Sequence, residues 1–360
     1  MPDRRFFISG LLAAGSAPRT TWADVGAPRY LSAGKRPDGA YVLCGLNATG
    51  DITFQLPLPA RGHAAAAHPT VAQAVAFARR PGTFAIVLDC LTGAEEARLT
   101  PPTGRHFYGH GTFSEDGDLL FTTENDIESA RGMIGVWDVR RAYNRIGDFP
   151  SGGIGPHDIK LIPDGETLVV ANGGIETHPE TGRTKLNIPT MRPNLSYLRL
   201  DGALSDQLEM PSAHRKNSIR HLAVARTGAV AFAMQWQGDL HEDLPLLGMH
   251  DPKKDQLQLM EAASVRHMNG YLGSVAITSD GGRVATTSPR SGMLQVFQNG
   301  QLQDEIAKSD VCGVAPLEDG FMSTTGTGHV TSTNGLNKEH SIAWDNHLVR
   351  LNGSNRHRCS

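Results

Sequence analysis

The sequence predicts an all-β chain folded as a seven-bladed β-propeller, with the last blade closed by strands from both ends. Three observations carry this. A unit of short apolar strands recurs at roughly 35 to 65 residues, the variation lying in insertions. Each unit turns at an Asp-Gly or Gly step after its first strand. Glycine reaches 40 of 360 residues while aromatics make up only 6%, which suits many short strands and tight turns rather than long helices.

The clearest copies of the first strand begin at Gly109-His110, Pro156-His157, Arg220-His221, Leu272-Gly273 and Val311-Cys312. They run into turns at Asp116-Gly117, Asp164-Gly165, Gly228, Asp280-Gly281 and Asp319-Gly320. Apolar second strands are expected over 119–123, 167–171, 229–234, 284–287 and 321–325, and third strands over 133–138, 196–200 and 293–297. A weaker fourth strand completes each unit. A single blade cannot bury both faces, whereas stacked blades can, and they leave only short edges exposed.

Six blades start near His63, His110, His157, His221, Gly273 and Cys312. The seventh is split. Residues 346–351 read as a first strand with nothing after it, and 30–33, 41–46 and 52–58 supply its second, third and fourth strands. The propeller is thus expected over 24–352, with a disordered tail over 353–360.

The chain opens with Arg4-Arg5-Phe6-Phe7 and an apolar run over 8–14, with Thr21-Trp22-Ala23 at a cleavage-like position. Residues 1–23 therefore read as a twin-arginine signal peptide, and the expected location is the bacterial periplasm. The apolar run is too short to anchor the chain, and no later segment approaches a membrane span. A formal net charge of −3 gives no reason to expect nucleic acid or an acidic membrane as partner. Cys44, Cys90, Cys312 and Cys359 lack paired spacing; a Cys44–Cys90 bridge and unpaired buried thiols both remain open.

When the first strands are aligned, His63, His110, His157, His221 and His347 fall at one phase, at the start of the strand. That strand is innermost in a propeller, so five imidazoles are expected to converge on the channel mouth. Imidazole suits copper, iron, zinc and nickel, and only its neutral form binds, so affinity is expected to fall as pH drops through about 6. The alternative is a structural histidine that ties loops together within a blade, as a His157-Asp158 pair would. In outline the ring resembles the copper-cluster site on the axis of the nitrous oxide reductase propeller, although no cupredoxin pattern follows it here. Candidate supporting residues are His106, Glu124, Asn172, Gln235 and Arg290, with Arg79, Arg80, Asn125, Glu176 and Gln237 on the same expected loops. The insertion over 173–194, with His178 and Lys185, is long enough to cover this face.

No nucleophile elbow, phosphate loop, HExxH or paired-cysteine zinc motif occurs. Gly152-Gly153-Ile154-Gly155 precedes a strand and so cannot cradle phosphate at a helix end.

The segments GHGTFSEDG, GIGPHDIKLIPDG, SIRHLAVARTG and the WDNHL ending resemble the bacterial family catalogued as domain of unknown function 1513, over roughly residues 27–351. The resemblance implies a propeller of the YVTN/WD40-like type. It also implies periplasmic iron handling beside imelysin-like and di-haem proteins. Three functions are therefore expected to compete: a protein holding iron or copper for iron acquisition, a metal-dependent oxidoreductase or other enzyme on the same hub, and a protein-binding scaffold with structural histidines.

Overall fold

The computed structural model describes residues 19–79, 83–182, 184–254 and 256–351. The expected signal residues Arg4 and Arg5, Arg80, Cys359 and the expected tail lie outside these. Seven antiparallel sheets form a ring. Six are four-stranded and consecutive in sequence, and their innermost strands are Gly62–Ala67, Arg105–Phe113, Pro156–Leu161, Asn217–Val224, Ser274–Ile277 and Val311–Pro316. These define blades 1 to 6.

The seventh blade is assembled from both ends. Tyr30–Lys35, Tyr41–Leu46 and Ile52–Leu58 are its second to fourth strands. Its innermost strand is broken rather than continuous over 346–351. Ala343–Trp344 pairs with Lys35 and Gly34, and Val349–Arg350 pairs with Leu31 and Tyr30. Between the two pieces, Asp345 N–H donates to the Ala33 carbonyl at 2.9 Å and the Ser32 hydroxyl donates to the His347 carbonyl at 2.9 Å. The break frees the His347 backbone from the ladder while these two bonds hold it in place.

Strand chemistry follows depth in the blade. Second strands such as Thr167–Asn172 and Val230–Trp236 are buried on both faces and largely apolar. Outermost strands such as Asn144–Pro150 and Gln301–Ala307 are exposed and polar. The blades are joined by apolar clusters at each interface. Val75, Phe77 and Leu120 join blades 1 and 2, and Phe121, Ile159 and Val170 join blades 2 and 3. Val169, Phe232 and Val284 run through blades 3 to 5, and Ala285, Val314 and Phe321 join blades 5 and 6. Cys44, Met322 and Trp344 join blades 6 and 7, and Leu43, Ala76 and Ile86 close blade 7 on blade 1. Losing a buried Phe such as Phe232 would cost about 3–5 kcal/mol.

Cys44, Cys90 and Cys312 are free, buried thiols, each pushed up to about 12 by burial. They pack as small apolar side chains. No helix among the described residues is long and apolar enough to cross a membrane.

Candidate metal centre

The five histidines converge. Ring centroids lie 4.7 Å apart for His63–His347, 4.8 Å for His110–His347 and His221–His347, and 4.9 Å for His63–His110 and His157–His221. His110 and His157 are 5.1 Å apart, so the rings form one cluster contributed by blades 7, 1, 2, 3 and 4. They do not all sit at a strand start, however: His110 is the sixth residue of Arg105–Phe113 and His221 the fifth of Asn217–Val224.

What they share is a β-bulge. Register shifts fall between Gly62 and Ala65, Phe107 and Gly111, Pro156 and Asp158, and Ile219 and His221. In blade 7 the break between the two strand pieces takes the same place. A bulge adds an unpaired residue and re-aims side chains, here from the blade interfaces to the axis. Gly109, at φ +101°, makes room beside it: a Cβ there would come within 2.7 Å of the His63 ring. Blade 6 carries a bulge as well, but Gly313 there packs against the backbone of His347 and Leu348. Cys312 turns its thiol to the Asp310 carbonyl at 3.1 Å.

His110 stands at the centre of the polar contacts. Its Nε2 is 3.2 Å from His63 Nε2, and its Nδ1 is 3.1 Å from Asp158 Oδ1. The Asp158 carboxylate also accepts from Leu222 N–H at 2.9 Å, Ile159 N–H at 2.8 Å and Lys160 Nζ at 2.7 Å. Burial opposes its charge, yet Lys160 and His110 hold it well below the usual carboxylate range. Asp158 therefore does not serve a pair with His157. It reaches back to blade 2 and forward to blade 4. The sequence placed an Asp beside the ring but could not show which histidine it served.

His63 Nδ1, His157 Nδ1, His221 Nδ1 and His347 Nε2 are buried and have no hydrogen-bond partner. Burial pushes the His63, His157 and His347 imidazoliums well below their usual range, followed for His157 by Arg220 and then the neighbouring rings, and for His63 by the neighbouring rings and then Arg79. His221 is pushed down to about 3, chiefly by burial and then by His110. These four rings are thus held toward the neutral form, each with one lone pair to offer. In two triads, His63–His110–His347 and His110–His157–His221, the ligating atoms lie within 4.8 Å of one another. Tetrahedral metal–nitrogen bonds of about 2.0–2.1 Å need nitrogens about 3.3 Å apart, so small rotations of the rings would complete either set. Because Asp158 occupies His110 Nδ1, only Nε2 of that shared residue faces the cluster.

Of the expected supporting residues, three serve the blades instead. Glu124 is fully buried and takes a two-pronged ion pair from Arg145, at 2.7 and 3.0 Å, within blade 2. Asn172 bonds Ser151, Asn194 and Ser196. His106 faces the Phe107 carbonyl at 3.1 Å and Asn125 at 3.5 Å. These residues lie on strands rather than loops, and alternation turns them into the sheet. Gln235 donates to the Leu272 carbonyl at 3.3 Å, tying blade 4 to the entry of blade 5. Arg290 lies on a loop, 4.4 Å from the Tyr271 ring centre, and the Tyr271 hydroxyl meets Asn346 Nδ2 at 3.4 Å, next to His347.

Comparison with solved structures places this geometry on a familiar frame. Hydrazine synthase of Kuenenia stuttgartiensis superposes with a TM-score of 0.59 at 14% identity, covering 88% of this chain and 97% of that one. A chain of a mitotic checkpoint complex superposes with a TM-score of 0.54 at 11% identity, covering 81% and 78%. At such identities the likeness is of fold alone. No curated protein matches the chain. A family model described as protein of unknown function (DUF1513) matches residues 56–351, from the last strand of blade 7 round the ring to its closure, and the chain belongs to that family.

Proposed function

We propose that this propeller is a metal-binding protein whose five-histidine hub takes one transition metal ion, iron or copper. The observation that carries the reading is the pair of histidine triads sharing His110, with ligand atoms within 4.8 Å of one another, in rings of which four also keep a buried nitrogen without a partner. A buried polar atom left unpaired costs about 1–3 kcal/mol, and four in one cluster make sense where a cation accepts their lone pairs. Imidazole donors suit iron, copper, zinc and nickel, and the Asp158–His110 contact has the carboxylate–histidine form that orients a ligand ring toward a metal. The twin-arginine start supports work in the bacterial periplasm. The family resemblance supports a part in iron acquisition or handling with imelysin-like or di-haem partner proteins.

The test is elemental analysis of the purified protein and of the His157→Ala/His221→Ala variant, each refilled with iron, copper and zinc in turn. About one equivalent of metal in the wild type and little in the variant is expected, with circular dichroism showing both folded. Equal contents, or none in the wild type, would leave the histidines as structural residues of a scaffold.

A further inference from the structure

The loops between second and third strands and the segments entering the first strands open at one end of the ring. Arg61, Arg79, Lys185 and Arg290 lie on them, and Arg220 is the extra residue of the bulge that precedes His221. Arg61 and Arg79 share one buried carboxylate, Asp345, at 2.6 and 3.2 Å. Two guanidiniums against one carboxylate leave a positive charge beside His347.

Lys185 and Arg290 reach the same rim through neutral groups. Lys185 donates to the Gln237 side-chain oxygen, and Gln237 Nε2 donates to the Gln235 carbonyl at 2.8 Å. Gln235 bridges Tyr271, over whose ring Arg290 lies. Burial and then the charges of Arg220 and Arg290 push the Lys185 ammonium down, and Arg220 acts in the same sense on His157. The hub that Arg79 and Arg220 act on includes His221 and His347, each with a buried ring nitrogen that has no partner. Cations gathered beside rings held toward the neutral form focus a positive potential there.

We propose that this end of the ring binds a polycarboxylate anion, which delivers the hub's metal as its chelate. The cations are spread over blades 1, 4 and 5 and the 173–194 insertion, so they match several separated carboxylates better than one compact phosphate. The anion half of the proposal stands on the cations alone; the delivery half rests on the metal reading above.

The test is calorimetric titration of the wild type, Lys185→Gln/Arg290→Gln and His157→Ala/His221→Ala proteins with three probes. These are citrate alone, iron(III) citrate, and iron(II) alone without oxygen. Neutralising two of the cations is expected to weaken citrate and iron(III) citrate by about tenfold or more while leaving iron(II) within about twofold. The histidine variant is expected to keep citrate and lose iron(II). Citrate binding by the wild type without any iron binding would uphold the anion site and overturn the metal reading. A wild type that ignores citrate, or a Lys185→Gln/Arg290→Gln protein that binds it unchanged, would overturn the proposal.

Discussion

Asp158 is where three blades meet: its carboxylate takes His110 from blade 2 and the Leu222 N–H from blade 4, while its backbone belongs to blade 3. Acceptance from His110 Nδ1 fixes the proton there and leaves Nε2 bare toward the other rings. Replacing Asp158 by Asn keeps the shape but removes the charge that holds this tautomer. Metal affinity is expected to fall by about 10- to 100-fold, with the His110 side-chain nitrogen shifts in NMR reporting a changed tautomer. Unchanged affinity and shifts would make Asp158 a link between blades and nothing more. The five histidines were legible in the sequence because they recur at one phase of a repeat. The service of Asp158 was not, because both of its partners lie in other blades and nothing local marks them. Glu124 shows the converse: its loop-like setting of polar neighbours hid an ion pair with Arg145, two strands away within the blade.

At the scale of the element, the repeat and its turns could be read closely. Tyr41–Leu46, Ile52–Leu58 and Phe321–Thr325 stand where alternation and flanking turns put them. The bulges could not be read, since one or two inserted residues leave no local signature. They decide where the imidazoles point. The segment before the ring makes contacts of its own. Thr21-Trp22-Ala23, expected at a cleavage position, is docked on blade 1. Thr21 bridges Val71, the Trp22 indole donates to the His68 carbonyl at 2.9 Å, and Trp22 starts a short 3₁₀ turn, Trp22–Val25, capped reciprocally by Thr21 and Asp24. The Trp22 contact and its hydrogen bond are together worth on the order of 2 kcal/mol. A chain starting at Asp24 is therefore expected to melt several degrees below one starting at Arg19. Equal melting temperatures in differential scanning calorimetry would show that the docked segment adds nothing to the ring.

Across the whole molecule, the ring closes by blade 7 and carries at its centre a hub in which four of the five histidines are held toward the neutral form, and this couples stability to pH. His63, His157, His221 and His347 have depressed values in the folded protein, His221 down to about 3, against an ordinary histidine value of 6.5. Between those limits the unfolded chain binds protons that the folded hub refuses. Stability is then fully present above pH 6.5 and is lost as pH falls through the window toward 3, by up to about 1.4 kcal/mol per pH unit for each such histidine. The same shift alters the expectation from free imidazole that metal release begins near pH 6: these four rings are held toward the neutral form, and so able to bind, below it. The measurement is the melting temperature of metal-free protein from pH 7.5 to 4, beside that of His157→Ala/His221→Ala. The wild type is expected to fall steeply below pH 6.5 and the variant to fall less, since it carries two fewer buried imidazoles. Parallel curves would mean that water reaches the hub freely enough for its histidines to titrate as they do in the unfolded chain.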